Sequence, residues 1–368
     1  MGDQMGNGEI KNKRVFLEQY RGRKVLITGH TGFKGSWMCR TLLQAGAQVY
    51  GYALEAPEDP ALFRILSLEK EMDSVIGDVR DYEKLFQFMK ECRPEIVIHM
   101  AAQPIVRESY KRPAYTYETN VMGTVNVLEC IRNLESVQSF VNVTTDKVYL
   151  NREWDWGYRE NEELNGFDPY SNSKSCSELV TASYRQSFFE DRDIAITTMR
   201  AGNVIGGGDF AVDRIIPDCV RAAEKEQDIL IRNPDSIRPY QHVLEPVLAY
   251  LRVAVEQLQN KKLEGAYNIG PQEENCITTG QMADLFCQKW KELSGREQKW
   301  VSGSEKGPHE AKLLKLDCAK IKSVFGWKPV WDIRQTMDHV TEWYYGYVNG
   351  ADMLQITDEQ IEKYTKAM

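Results

Sequence analysis

At 368 residues, with 42% hydrophobic and 27% charged side chains, the chain has the balance of a soluble globular protein with one large domain or two closely joined ones. A net charge of −8 argues against a general nucleic-acid binder, and no stretch reaches the ~18 apolar residues of a membrane span. Eight cysteines without a CxxC pair and five dispersed histidines point to reduced thiols and no metal centre. With an N-terminal MGDQMGNGEIKNKR that lacks an apolar signal core, the expectation is a cytoplasmic protein.

Residues 1–23 read as a polar leader. From Lys24 onward, strand-like and helix-like segments alternate. The strand Lys24–Thr28 (KVLIT) precedes a helix over Phe33–Gln44, and strands follow at Gln48–Ala53 and Ser74–Ile76. Asp81–Lys90 reads as a helix with Asp81 as its N-cap, Glu95–His99 as a buried strand, Thr119–Arg132 as a helix and Ser139–Thr145 as a strand. This rhythm predicts an α/β protein with a Rossmann-type, doubly wound parallel sheet covered on both faces.

The pattern breaks between Tyr149 and Asp168, where Trp154, Trp156 and Tyr158 lie in a stretch long enough to read as a functional loop. A helix over Pro169–Phe188 and a strand over Ile194–Met199 follow. Beyond Asn203 the periodicity is interrupted by Gly206-Gly207-Gly208, Pro217, Pro234 and Pro239. The expected division is a dinucleotide-binding domain over 24–202, then a smaller substrate domain over 203–350 interleaved with the last strands of the sheet. Residues 351–368 read as a tail.

The first chemical signal is GHTGFKG at Gly29–Gly35, after a strand and opening a helix. Gly29 permits the tight turn, Gly32 lets backbone amides approach a pyrophosphate, and Gly35 allows close contact between helix and strand. The second strand ends in VYGYALEAP without the usual ribose-binding acid; Glu55 is the nearest, and the absence of Arg or Lys there favours NAD over NADP. Asp78 and Asp81 of GDVRD read either as adenine-side contacts or as turn and cap residues. Ala101 and Ala102, after the fourth strand, leave room for a ligand, whereas His99 reads as a core histidine.

Tyr170 and Lys174 stand four apart in PYSNSKSCSELV and so share one helical face. A nearby ammonium and a positively charged nicotinamide favour tyrosinate, so Tyr170 can accept a sugar hydroxyl proton. The pair follows TTDK (Thr144–Lys147) at the end of a strand downstream of a glycine turn.

These features together resemble the extended short-chain dehydrogenase/reductases, in the NAD-dependent epimerase/dehydratase branch. Within it GHTGFKGSW, HMAAQPIVR, TNVMGTVNVLE, NREWDWGYREN, DPYSNSK, RAGNVIGGGDF, DRIIPD, IRPYQHVLEP and HEAKLLKLDCAK are similar to the CDP-glucose 4,6-dehydratase subgroup, over about residues 20–350. Asp146-Lys147 after the catalytic Thr, where other dehydratases carry Asp-Glu, matches that subgroup.

The resemblance implies conversion of CDP-D-glucose to CDP-4-keto-6-deoxy-D-glucose and water with internal recycling of NAD, for deoxysugar and surface-polysaccharide biosynthesis. Tyr170 would deprotonate the C4 hydroxyl, with Thr145 bonded to it and Lys174 tuning it. Asp146 would be the acid at the C6 hydroxyl and Lys147 the base at C5; Lys147 also reads as a salt-bridging lysine. Thr31, Phe33, Val79, Gln103 and Asn120, in or beside the matching motifs, complete the implied NAD-binding set with Tyr170 and Lys174. Asn203, Arg214, Arg238 and His242 are the implied substrate contacts, with His309–Glu310 near that end. The alternatives are a nucleotide-sugar 4-epimerase, a dehydratase for another nucleotide, or an NAD-binding scaffold without catalysis. Apolar residues on more than one face of two helices (Val121, Val125, Leu128; Leu179, Val180, Tyr184, Phe188) and the resemblance imply a homodimer or homotetramer.

Overall fold

The computed structural model of the protein describes residues 15–56, 59–303 and 313–368. His309–Glu310 and most of the leader lie outside the described residues. The first six strands in chain order are β1 (Lys24–Thr28), β2 (Gln48–Ala53), β3 (Asp73–Ile76), β4 (Ile96–His99), β5 (Ser139–Val143) and β6 (Ala195–Ala201). With the strand Gly265–Ile269 they form a seven-stranded sheet. Its order is Gly265–Ile269, β6, β5, β4, β1, β2, β3, and every pairing is parallel.

Helices cover both faces, so the central strands are apolar on both. Val25 and Ile27 of β1 join one core, with Ile96, Ile98, Val141 and Met199, while Leu26 joins the other, with Val97, Phe140 and Ile196. That alternation is the two-residue period of a strand buried on each side. The strand order reverses between β1 and β4, and in such sheets ligands bind at the carboxyl ends beside that reversal.

The α/β expectation holds, and several boundaries move. The helix expected at Thr119 begins at Pro113, runs through a π turn at Glu118–Met122 and continues over Gly123–Arg132. Pro113 sits at the first helical position, where its missing N–H costs nothing. The strand expected to reach Thr145 ends at Val143, because Asp146–Val148 turns as a short 3₁₀ segment.

The leader and the tail need larger corrections. Val15–Glu18 is helical, Phe16 and Tyr20 are buried, and the Tyr20 hydroxyl donates to Leu251 O at 2.6 Å. Met353–Ala367 is a helix whose Ile361 and Tyr364 enter the main core. Both segments are amphipathic, and their apolar faces find partners only in the folded chain.

The C-terminal helix is tied down by one buried carboxyl. Glu245 Oε1 accepts from the amides of Val330 and Trp331 at 2.9 and 2.8 Å, and Oε2 accepts from the Tyr364 hydroxyl at 2.6 Å. Burial outweighs these donors and pushes its pKa up to about 7. A carboxyl raised in the folded state favours folding while protonated, and that advantage is lost as pH rises through about 7. Glu245→Gln should therefore gain stability relative to wild type between pH 5 and pH 8, by about 1.4 kcal/mol per pKa unit at most. Melting temperatures of both proteins across that range check it, and a difference independent of pH would refute it.

Candidate active site

The glycine turn is built for close approach. Gly29 has φ +79°, and a Cβ there would lie 2.8 Å from Ala101 N. A Cβ on Gly35 would fall 2.3 Å from Gly29 O, so only glycine lets the helix Phe33–Gln44 start this close to β1. Gly32 caps that helix in extended conformation with no side-chain bond among the described residues. The first-turn amides therefore point at a position suited to an anion. This cradle fits the pyrophosphate of a dinucleotide.

Around it, Thr31 Oγ1 donates to Leu54 O at 2.8 Å, joining the turn to the end of β2. Phe33 packs against Gly206. Ala101 N donates to Thr28 Oγ1 at 3.2 Å, and Ala102 follows it half-buried. Gln103 N donates to Asn120 Oδ1 at 2.8 Å, while Asn120 Nδ2 donates to Gln103 O and to Ser173 Oγ at 2.9 Å. Asn120 lies in the π turn, a local irregularity often found at functional sites. It couples the β4 loop to the helix that carries Tyr170.

On the adenine side the carboxylate of Asp78 is engaged by Arg80, at 2.6 Å from Nη2, and this holds its pKa below the usual range. Asp81 is the N-cap, accepting from Lys84 N, and buried Val79 packs against Gly123. Glu55 pairs with Arg64 at 3.5 Å, so a cation does stand near the end of β2. His99 is a core residue as expected: Thr28 and Thr124 hydroxyls flank its ring, and burial drives its pKa to about 3.

At the end of β5 the catalytic candidates converge. Thr145 Oγ1 donates to Asp146 Oδ1 at 3.0 Å, and the Thr145 side chain is also hydrogen-bonded with Tyr170. Asp146 is 2% exposed, and its Oδ2 has no hydrogen-bond partner among the described residues. Burial raises its pKa, against the opposing charges of Lys147 and Arg238. Asp146 is thus disposed to hold a proton. Lys147 is half-buried, and its amide donates to Thr145 Oγ1 at 3.4 Å.

Lys174 Nζ donates to Val143 O at 3.1 Å. Its pKa is lowered to about 8, first by burial and then by Lys34. The expectation of an acidified tyrosine is not met in the protein alone: burial pushes Tyr170 up to about 12, against the pull of Thr145 and Arg214. Desolvation of the phenolate outweighs the cations within reach.

The substrate-side residues divide. Arg214 Nη1 meets Asp209 at 2.8 Å, and its charge is felt at Tyr170 and at Lys34. Arg238 donates to Ile237 O at 2.9 Å, and its charge reaches Asp146. Asn203, half-buried, accepts from Gln241 N through its carbonyl. His242 does not face this region. It is fully buried, edge-on to Trp37 and Trp331, with Nδ1 accepting from Leu244 N. An imidazole sealed between indoles cannot reach a soluble substrate.

Lys34 is the residue that sequence reading passed over. It lies inside GHTGFKG, half-buried, 6.0 Å from the Tyr250 ring centroid, and burial with the charge of Arg214 lowers its pKa to about 8. Its signal was a charged residue one position into the helix of a phosphate-type turn.

A family model described as GDP-mannose 4,6 dehydratase matches residues 26–340. The chain belongs to this family. It is 48% identical to the CDP-glucose 4,6-dehydratase of Salmonella typhimurium, over 95% of this chain and 98% of that one. The fold is similar to the UDP-glucose 4-epimerase of Thermotoga maritima solved with UDP-glucose, at TM-score 0.76 and 21% identity, covering 88% of this chain and 99% of that one. It is also similar to the dTDP-glucose 4,6-dehydratase of Bacillus anthracis in complex with NAD, at TM-score 0.72 and 21% identity, covering 90% and 100%.

The pairing of two lysine charges generates a signed test. Lys34→Met removes a cation that disfavours the Lys174 ammonium, so the Lys174 pKa should rise above about 8. Titration of lysine-labelled protein by NMR measures it, and an unmoved Lys174 would show that the two charges do not communicate.

Proposed function

We propose that the protein is a cytoplasmic CDP-D-glucose 4,6-dehydratase, forming CDP-4-keto-6-deoxy-D-glucose and water. The observation that carries the reading is the buried Asp146, with its orphan oxygen beside Thr145 and Tyr170. Shuttling a hydroxyl through a 4-ketone needs a base such as Tyr170 but no acid for a leaving hydroxyl. Expelling water needs that acid. The curated relative from Salmonella typhimurium supports CDP-glucose as the substrate.

NAD fits the glycine cradle and, when bound, supplies the two-electron acceptor for C4 and the donor that later reduces C6. Gly29, Thr31, Gly32, Phe33 and Gly35 would hold its pyrophosphate side, and Asn120, Tyr170 and Lys174 its nicotinamide side. Tyr170 Oη takes the C4 hydroxyl proton, with Thr145 bonded to both partners. The C4 ketone then acidifies the C5 proton, which Lys147 removes, while Asp146 Oδ2 protonates the departing C6 hydroxyl. Arg214 and Arg238 present guanidinium groups to the diphosphate, and Asn203 lines the same side.

Turnover of CDP-, dTDP-, UDP- and GDP-glucose, read as ketosugar absorbance in alkali, tests the reading. Tyr170→Phe should abolish product and the transient absorbance of reduced cofactor together. Asp146→Asn and Lys147→Met should retain that transient but lose about 10²–10⁴-fold in product formation. An Asp146→Asn enzyme with wild-type turnover would remove the acid from the mechanism. Persistent exchange of the C5 proton in Lys147→Met would move the base elsewhere.

The oligomer is part of the same proposal. Met122, Leu179 and Phe188 are 50%, 56% and 47% exposed on the two helices packed beside β5. Exposed apolar side chains on both helices suit a helical interface between two copies. Light scattering at micromolar concentration should give at least a dimer; a monomer would refute it.

A further inference from the structure

Behind the catalytic turn lies an ion pair that the proposed chemistry does not use. Glu178 and Arg200 have side chains 3% and 4% exposed, with Arg200 Nη2 2.8 Å from Glu178 Oε2. Thr198 Oγ1 donates to the same oxygen at 2.7 Å, and Thr144 Oγ1 donates to Oε1. Thr144 immediately precedes Thr145, and its amide is held by Met199 O at 2.9 Å. From its other side Arg200 donates to the Tyr149 hydroxyl at 2.8 Å and to Glu160 O at 3.0 Å. Tyr149 passes the chain on to Asn268 at 2.6 Å. One carboxylate therefore ties together the ends of β5, β6 and Gly265–Ile269, and with them the long loop after Val148.

The location of Glu178 on its own helix is equally specific. Tyr170, Lys174 and Glu178 are spaced i, i+4, i+8 in Pro169–Phe188 and so stand along one face. Buried ion pairs are weak evidence for stability, because well-packed apolar pairs often replace them without loss. Stability alone gives little reason for the pair.

We propose that Glu178 is a positioning residue for the reaction: clamped by Thr144, Thr198 and Arg200, it fixes the Thr145–Asp146–Lys147 turn against the Tyr170–Lys174 helix face and sets a fixed anion one helical turn from Lys174. The inference rests on the dehydration reading of that site. The charged and titratable groups facing Lys174 are Lys34 from the glycine-turn helix, His99 from β4, and Tyr170 and Glu178 from its own helix. Among them Glu178 favours the ammonium, and Lys34 opposes it. Losing the Glu178 charge moves the Lys174 titration down from about 8. A step that needs the ammonium is lost as pH rises, so its alkaline limb moves to lower pH.

Three variants in the NAD-loaded full-length protein test this: Glu178→Met with Arg200→Met, Glu178→Gln, and Thr144→Val. The double variant removes both charges, leaving neither buried alone, and is expected to fold with near-wild-type melting. Its kcat on CDP-glucose should fall about 10–100-fold, as for a misplaced catalytic turn, with little change in KM. Both Glu178 variants should shift the alkaline limb of kcat to lower pH, and the Lys174 titration followed by NMR should shift with it. Thr144→Val, which keeps the ion pair, should lower kcat without moving the limb.

Wild-type kcat in the double variant, or in Thr144→Val, overturns the positioning role. An unmoved Lys174 titration in Glu178→Gln overturns the electrostatic one, and this remains measurable if the double variant does not fold. A wild-type protein that makes no ketosugar refutes the reaction instead, while the NMR comparison still judges Glu178.

Discussion

A carboxyl group enclosed away from water stays ionised only where donors meet its oxygens, and the end of β5 holds two carboxyls on opposite sides of that rule. Glu178 accepts from Thr144, Thr198 and Arg200, and the Arg200 charge keeps its pKa below the usual range despite burial. Asp146 receives one hydroxyl, leaves an oxygen without a partner among the described residues, and is raised by burial. One is a permanent anion and the other an acid that keeps its proton readily. Titratable groups pushed apart in this way mark a division of labour between charge stabilisation and proton transfer. The catalytic turn between them carries both environments within a few residues.

The sheet makes that division possible. β5 ends at Val143, Thr144 still gives its amide to Met199 O, and the hydroxyls of Thr144 and Thr145 turn apart, one toward Glu178 and one toward Asp146 and Tyr170. Opposite them the β4 loop is pinned by Asn120 from a π turn, which re-aims one side chain without breaking the helix. The glycine turn closes the third side, where backbone contacts at Gly29 and Gly35 leave no room for a Cβ. Three different loops are thus held, two by hydrogen bonds to the helical residues Glu178 and Asn120 and the third by close backbone contact. Rigid placement of this kind is what proton transfers over hydrogen-bond distances require.

What was legible in the sequence was local. KVLIT, EIVIH and the glycine turn carry their structure in their own residues, and strands, turn and sheet class follow directly. The Tyr170–Lys174 spacing likewise fixes a shared helical face. Tyr20 and Tyr364 were not legible, because polar segments at both ends bury these residues through contacts with Leu251 and Glu245 that lie over a hundred residues away. His242 was misplaced because a motif shows order along the chain, and only the fold shows that Trp37 and Trp331 enclose it. The Tyr170 titration failed for the same reason: helical spacing reveals a neighbouring ammonium, but the depth of burial that outweighs it belongs to the tertiary structure.

The electrostatics also bear on the order of events. With burial pushing Tyr170 up to about 12, phenolate is scarce near neutral pH and the protein alone is a poor base. A cationic cofactor ring held beside Tyr170 would move that balance toward phenolate. On the proposed reading the substrate does the reverse for Asp146. Arg238 now draws the Asp146 pKa down. A diphosphate paired with Arg238 screens that charge, and Asp146 then holds its proton more firmly. On that reading cofactor and substrate would act on different members of one cluster, the first readying the base for C4 and the second the acid for C6. Neither proton transfer would then be favoured until the ternary complex is assembled, and the reactive ketone would not form where it cannot be carried forward.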